Sequence, residues 1–468
     1  MGQYSGIRHR ILIVIISSLF IQIGHTKDTT SYQSIRIGPN IPPDVALIQE
    51  NRQRDMDIFS WQSFVALNWP MNSDGNVDTN TVIGGNGDNE TVWETWMSTA
   101  DILDIPEGDV PVWGEHHVPQ ACEDNSDYKA GMKIIDQASK SDSFFQEAFD
   151  TGSLVDQSAN FVRYEVIVNQ DMFNTITSEK LYSASALKKR TEQVSFTCGS
   201  NETGEEGAIM IKAAWKVLTS DDDLARYHTD DAMVYVPAKY TSNKTDSCVK
   251  ANIGLVGMHI VHKTVQQPQW VWSSFEHIDN VPDCDKQNTF FTDPSKLNIP
   301  TCPTQRDQQY SFYSDDNQSG TSCNAAPAPN AGDDYHLDKP GNKSQLCRAN
   351  ALETSAPPVN QAYQTLLKAI NHESVWQHYQ LIGTQWNSNI ESSCQTDTTY
   401  VKKDTLPQYK IKDSSADIVP LPMGNITMEG YEQGTSNCLS CHASAKTTNL
   451  SDVNSDFVWF LSQEIDSK

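Results

Sequence analysis

The element that most limits how this chain folds is Cys438-Leu439-Ser440-Cys441-His442, followed by only 26 further residues, 443–468. Two thiols spaced by two residues, with histidine immediately after, form the attachment pattern of a c-type haem. The spacing has a chemical reason. Each thiol adds to one porphyrin vinyl group as a thioether, and the adjacent imidazole becomes an axial ligand of the iron. On this reading Cys438 and Cys441 are covalent anchors and His442 is the proximal ligand of a single haem c. A structural zinc site would need a second spaced pair of ligands, and neither another C-x-x-C nor a later H-x-x-x-H follows. A thioredoxin-like pair would open a helix after a hydrophobic strand, and Gly434-Thr435-Ser436-Asn437 supplies none. An ordinary disulfide is the plain alternative, although it has no use for the histidine.

The shortness of the tail has a consequence. Residues 443–468 contain neither methionine nor histidine. A Met or His sixth ligand therefore comes from upstream, as does most of the apolar cover for the porphyrin. Met428 and Met423 precede the motif closely, and the nine residues between Met428 and Cys438 can extend about 3.3 Å each, enough to wrap the ring. Core packing is the bland role for either methionine. His259, His262 and His277 are further candidates, with His259 and His262 expected on opposite faces of one strand. A hydrogen-bonded structural role is the bland reading of each histidine. A five-coordinate or water-bound iron is the remaining option.

Residues 1–26 have the pattern of an export signal: Arg8 and Arg10, an apolar run from Ile11 to Ile21, then Gly24 and Thr26 before Lys27. The run is short for a bilayer span, which takes about 20 apolar residues, so no stable membrane anchor is expected after its removal. A periplasmic or secreted location follows, and haem c attachment outside the cytoplasm agrees with it. Eight cysteines lie outside the motif, at 122, 198, 248, 284, 302, 323, 347 and 394, and in an oxidising compartment they suggest up to four disulfides of undeducible connectivity. A formal net charge of −26 disfavours nucleic acid and anionic membrane as partners and suits a basic redox protein.

Hydrophobic periodicity predicts an α+β fold: an antiparallel sheet with flanking helices. After Pro42-Pro43-Asp44 a helix is expected from Val45 to Trp69, ended by Pro70, and another across Lys133–Phe149. Strands are expected at Val162–Val168 (half-buried), Ile209–Val217, Met233–Val236, Ile253–His262 and Gln269–His277. The last two form a hairpin, with Ile253–His262 central because both its faces are apolar. A later helix carries Val359, Tyr363, Leu366 and Ile370 on one face. Residues 284–350, with four cysteines and few aliphatics, read as a disulfide-pinned surface excursion unable to bury a core. The expected division is thus a leader (1–26), a large domain (27–415) and a haem segment (416–468), entered at Pro420 and Pro422 and packed on the large domain. The tryptophans read as packing, Glu115-His116-His117 as surface groups, and Asp221-Asp222-Asp223 as a solvated turn.

Three blocks, Trp61–Pro70, Gly257–Thr264 and Trp272–His277, together with Cys438–His442, resemble exported bacterial proteins of the cytochrome c family with a C-terminal CxxCH motif. The resemblance implies covalent haem and electron transfer, and no substrate. Two other activities stay open: a haem-dependent oxidoreductase or peroxidase with an open iron site, and a haem-based ligand sensor.

Overall fold

A computed structural model describes residues 34–45, 52–84, 90–106, 108–136, 153–288, 301–303, 308–314, 323–325, 337–387, 394, 423–434, 436–448 and 453–462, all within the unit Gln33–Lys468. The expected leader, the first residues of the expected helix at Val45, and Pro420 and Pro422 with the start of the haem segment lie wholly or partly outside these residues. The strands are β1 (Met97–Ser98), β2 (Lys133–Ile135), β3 (Arg163–Val168), β4 (Ile209–Val217), β5 (Thr229–Val236), β6 (Ser247–His262), β7 (Val271–His277), β8 (Asp283–Asn288), β9 (Arg348–Asn350) and β10 (Tyr379–Gln385). The helices are α1 (Arg52–Leu67), α2 (Thr99–Leu103), α3 (Gln120–Glu123), α4 (Gln170–Ser178), α5 (Ala184–Leu187), α6 (Ala356–Ile370), α7 (Ile426–Glu429) and α8 (Cys438–His442).

The fold is α+β. Eight strands form one sheet in the order β1-β3-β4-β6-β5-β2, with β7 and then β10 continuing from β6. The long strand β6 is central, as its two apolar faces predict. Along one edge it pairs β4; along the other, β5 takes its first half and β7 its second. Pairing is antiparallel except between β2 and β5, so the sheet is mixed rather than purely antiparallel. That exception corrects the helix expected over Lys133–Phe149: Lys133-Ile134-Ile135 extend beside Ala232-Met233-Val234 instead. Residues 137–149 are outside the described set.

One face of the sheet is covered by α1 and α6. Trp61, Phe64 and Val65 of α1 and Val359, Tyr363 and Leu367 of α6 pack on Ile211, Trp215, Leu255, Met258 and Phe275. Helix α1 is buried on nearly every side, so its polar residues need partners. Ser60 bonds Ser273 and Thr384 at 2.7 Å each, and Thr384 donates to Asp57 at 2.8 Å. Burial, with Glu353 nearby, pushes the Asp57 carboxyl well up. The core stripe of α6 differs from expectation: Leu367 is buried, Leu366 only partly so and Ile370 exposed.

The opposite face carries the C-terminal segment, which is why β3 is buried on both sides rather than half-buried. Tyr164 donates to the Thr427 carbonyl at 2.7 Å, Asn425 reaches Ser274 and Phe275 at 3.1 and 2.7 Å, and Glu276 accepts from the Ile426 amide at 3.0 Å.

Four disulfides join Cys122–Cys248, Cys198–Cys394, Cys284–Cys347 and Cys302–Cys323. The last two pin the 284–350 stretch, as expected, but it is more than a surface excursion. Phe312 and Leu346 are fully buried against Tyr164, Val256, Ile426 and Met428. The disulfides fit an extracellular or periplasmic location, and among the described residues no helix is long and apolar enough to cross a membrane.

Candidate functional site

Helix α8 is a single turn, closed by the Cys441 amide on the Asn437 carbonyl at 3.1 Å and the Ala443 amide on the Leu439 carbonyl at 2.9 Å. Helical spacing sets Cys438 and Cys441 three apart on one side, and Leu439 and Ala443 four apart on another. The apolar pair is the anchor. Leu439 and Ala443 pack with Met210, Val261, Trp272, Phe457, Val458 and Leu461 in the second core of the protein. Cys438 packs at its rim, and both motif thiols are half-buried. Gln385 of β10 accepts from the Cys438 amide at 2.9 Å and so fixes the start of the turn. Neither Cys438 nor Cys441 is in a disulfide, whereas the other eight cysteines all pair.

His442 is held on two sides. Its Nδ1 lies 2.7 Å from the Phe457 carbonyl, and its ring centroid lies 4.4 Å from that of Trp272. A carbonyl only accepts, so Nδ1 carries the proton and Nε2 is the nitrogen with the lone pair in the neutral ring. That is the tautomer a metal-ligating histidine needs.

The sheet registers locate the other candidates. Val168, Met210, Val261, Trp272 and Gln385 form one cross-strand row under α8. The next row on the same face is Val166, Lys212, His259, Ser274 and Gly383. His259 is therefore a diagonal neighbour of Trp272, with Cα atoms ~7–8 Å apart. Its Nε2 stands 3.7 Å from Glu429 Oε2 of α7. Met423 reaches the same row: its sulfur would be 3.1 Å from a Cβ placed on Gly383, and its amide bonds the Ser436 carbonyl at 3.0 Å. Met428 belongs to a different cluster, between Tyr164, Val256, Phe312 and Leu346.

His262 and His277 are on the far face, as the strand period predicts for His262 relative to His259. His262 stacks on Phe59 of α1 at 5.5 Å and donates from Nε2 to the Glu206 carbonyl at 2.6 Å. His277 donates from Nε2 to the Arg226 carbonyl at 2.9 Å, accepts the Asp279 amide on Nδ1 at 3.1 Å and stacks on Tyr227 at 4.2 Å. Burial pushes each imidazole down to about 4. Both ring nitrogens of His277 are taken up by the backbone, which matches the hydrogen-bonded structural role.

His116 and the His117 amide are both gripped by Asp101, at 2.9 and 2.7 Å, on the surface. Among the described residues no three or more His, Cys, Asp or Glu side chains converge as a metal site. Asp222 accepts from the buried Lys216 at 2.6 Å, so the Asp221–Asp223 turn is tied down rather than merely solvated.

Sequence reasoning missed Gln385, the Phe457 carbonyl and the partnership of Trp272 with His442. Only Trp272 left a signal, since it alternates with Ser274 and Glu276 along β7. A carbonyl has no side-chain identity to read. No protein-family model, curated protein or solved structure matches the chain.

Proposed function

We propose that this chain is an exported monohaem c-type cytochrome that transfers electrons. One observation carries the reading: the imidazole after C-x-x-C is locked in the Nδ1–H tautomer by the Phe457 carbonyl, beside two cysteines that stay out of the disulfide framework. Cys438 and Cys441 would hold the porphyrin covalently, and His442 Nε2 would ligate the iron. Haem bound there supplies one-electron exchange between Fe(II) and Fe(III).

The chain's own residues set the conditions. Leu439, Ala443 and Trp272 keep water from one side, and the Phe457 carbonyl makes Nε2 a stronger donor. For the sixth ligand the shared sheet row favours His259, then Met423, over Met428 in its separate core cluster. The strongly acidic chain suits a basic redox partner.

The His259–Glu429 approach supports a second reading. A histidine facing a carboxylate is placed to move a proton, as a haem oxidoreductase or peroxidase with an open iron site requires. Carbon monoxide separates the two. The electron-transfer reading predicts a low-spin, six-coordinate reduced spectrum unmoved by carbon monoxide, which becomes high-spin and binds the gas in His259→Ala but not in Met428→Leu. Ready binding by the unsubstituted protein overturns it in favour of the open-site reading.

A further inference from the structure

We infer that Asp456 and Lys263 form a clamp that positions His442 and thereby lowers the reduction potential of the site. The inference rests on the haem reading above, but the geometry behind it does not. Asp456 and Phe457 are the two central residues of a turn closed by the Val458 amide on the Ser455 carbonyl at 3.2 Å. Their φ angles are 54° and 68°, so both are left-handed, as in turns that normally take Asn and Gly. Phenylalanine in that conformation is strained, and the strain persists only where surroundings hold it.

The surroundings do. The carboxylate of Asp456 forms an ion pair with Lys263 Nζ and accepts the Phe196 amide at 2.8 Å. Trp270 Nε1 lies 3.1 Å from the Asp456 carbonyl and 3.4 Å from Oδ1. Lys263 Nζ also lies over the Trp270 ring, 5.8 Å from its centroid. Lys263, Trp270, Phe196 and Asp456 are all buried. The side chain of Phe457 is seated in the second core, so the rotation of the 456–457 turn is fixed at both ends. That rotation alone decides where the Phe457 carbonyl points, and it points at His442 Nδ1.

The chain of cause is therefore Lys263 to Asp456, Asp456 to the turn, the carbonyl to Nδ1–H, and Nδ1–H to the basicity of Nε2. A stronger Nε2 donor stabilises Fe(III) over Fe(II). Loosening the clamp should raise the potential while leaving the thioether anchors untouched. Asp456 and Lys263 are positioning residues, since they act on His442 only through the turn that carries the Phe457 carbonyl.

Two measurements on the full chain test the clamp. In the haem-free protein, nitrogen-15 NMR of the imidazoles reads the His442 tautomer directly. The expectation is Nδ1–H in the unsubstituted chain and a mixture in the double variant Asp456→Asn/Lys263→Met, which removes both charges and leaves no buried ion unpaired. In the haem-loaded protein, the same variant should keep its haem and shift the Fe(II)/Fe(III) ratio at fixed potential on the order of tenfold toward Fe(II), or ~59 mV for one electron. Lys263→Arg, which keeps the cation, should retain the original potential. An Nε2–H tautomer in the unsubstituted chain overturns the clamp whether or not any variant folds. So does an unchanged tautomer and potential in the double variant. If the unsubstituted chain takes up no covalent haem, the functional reading fails while the tautomer measurement still decides the clamp.

Discussion

Gly257→Ala tests whether residues 423–430 are docked on the sheet as described. Gly257 lies in β6, and a Cβ placed there would meet Thr427 Oγ1 at 1.9 Å and Asn425 Oδ1 at 3.3 Å. To restore van der Waals contact the docked segment must lift by roughly 1.5 Å. Asn425, Ile426 and Thr427 are fully buried, and that lift stretches the bonds from Tyr164 to Thr427 (2.7 Å), Asn425 to Phe275 (2.7 Å) and Ile426 to Glu276 (3.0 Å). Losing two or three such bonds at about 1 kcal/mol each costs about 2–3 kcal/mol. Relief of the glycine penalty inside a strand returns about 0.5–1 kcal/mol. The net expectation is a loss of about 1–2.5 kcal/mol, seen in urea unfolding as a lower midpoint at constant slope. Without a docked segment the sign reverses, because the new methyl would meet open space and only the glycine term would remain. An unchanged or higher midpoint refutes the docking.

Three further outcomes are expected. The folded value of about 4 for His262 lies below the ordinary imidazole range, so as pH is lowered from about 6.5 to 4 the unfolded chain binds more protons and stability falls, by up to about 3 kcal/mol; His262→Gln, which still donates to the Glu206 carbonyl, should flatten that part of the stability–pH curve, and parallel curves would contradict it. Leu439→Ala should cost about 2–5 kcal/mol and speed proteolysis of the C-terminal segment ahead of the sheet, as measured by denaturation and limited digestion. Replacing Cys122 and Cys248 together by serine opens a link between residues 126 apart and should cost about 2–5 kcal/mol of unfolding free energy, measured by denaturant titration under oxidising conditions.

The strands most legible in the sequence are those where alternation coincides with apolar chemistry. Ile209, Ile211, Ala213 and Trp215 enter one core while Met210 and Ala214 enter the clusters on the other face. Strand β10 was not legible, because Thr384 and Gln385 are polar yet buried, each satisfied by a partner distant in sequence. Lys133-Ile134-Ile135 misled because edge pairing to β5 outweighs local preference. At the site, the opposite faces of His259 and His262 followed from strand spacing alone. The supports did not. The disulfide pairing is one of 105 that eight cysteines allow, the Phe457 carbonyl has no side-chain identity to read, and the Asp456–Lys263 pair joins residues 193 positions apart.

Covalent haem at Cys438 and Cys441 decides whether this chain is a c-type cytochrome, and the alkaline pyridine spectrum of acid–acetone-extracted protein reads it. The protein would be produced with the haem-c maturation machinery. The expected result is one haem per chain that stays with the polypeptide through extraction, gives the spectrum of a porphyrin with both vinyl groups saturated, and is absent from Cys438→Ala/Cys441→Ala. Haem that leaves with the solvent, or a spectrum unchanged in the double variant, would contradict it.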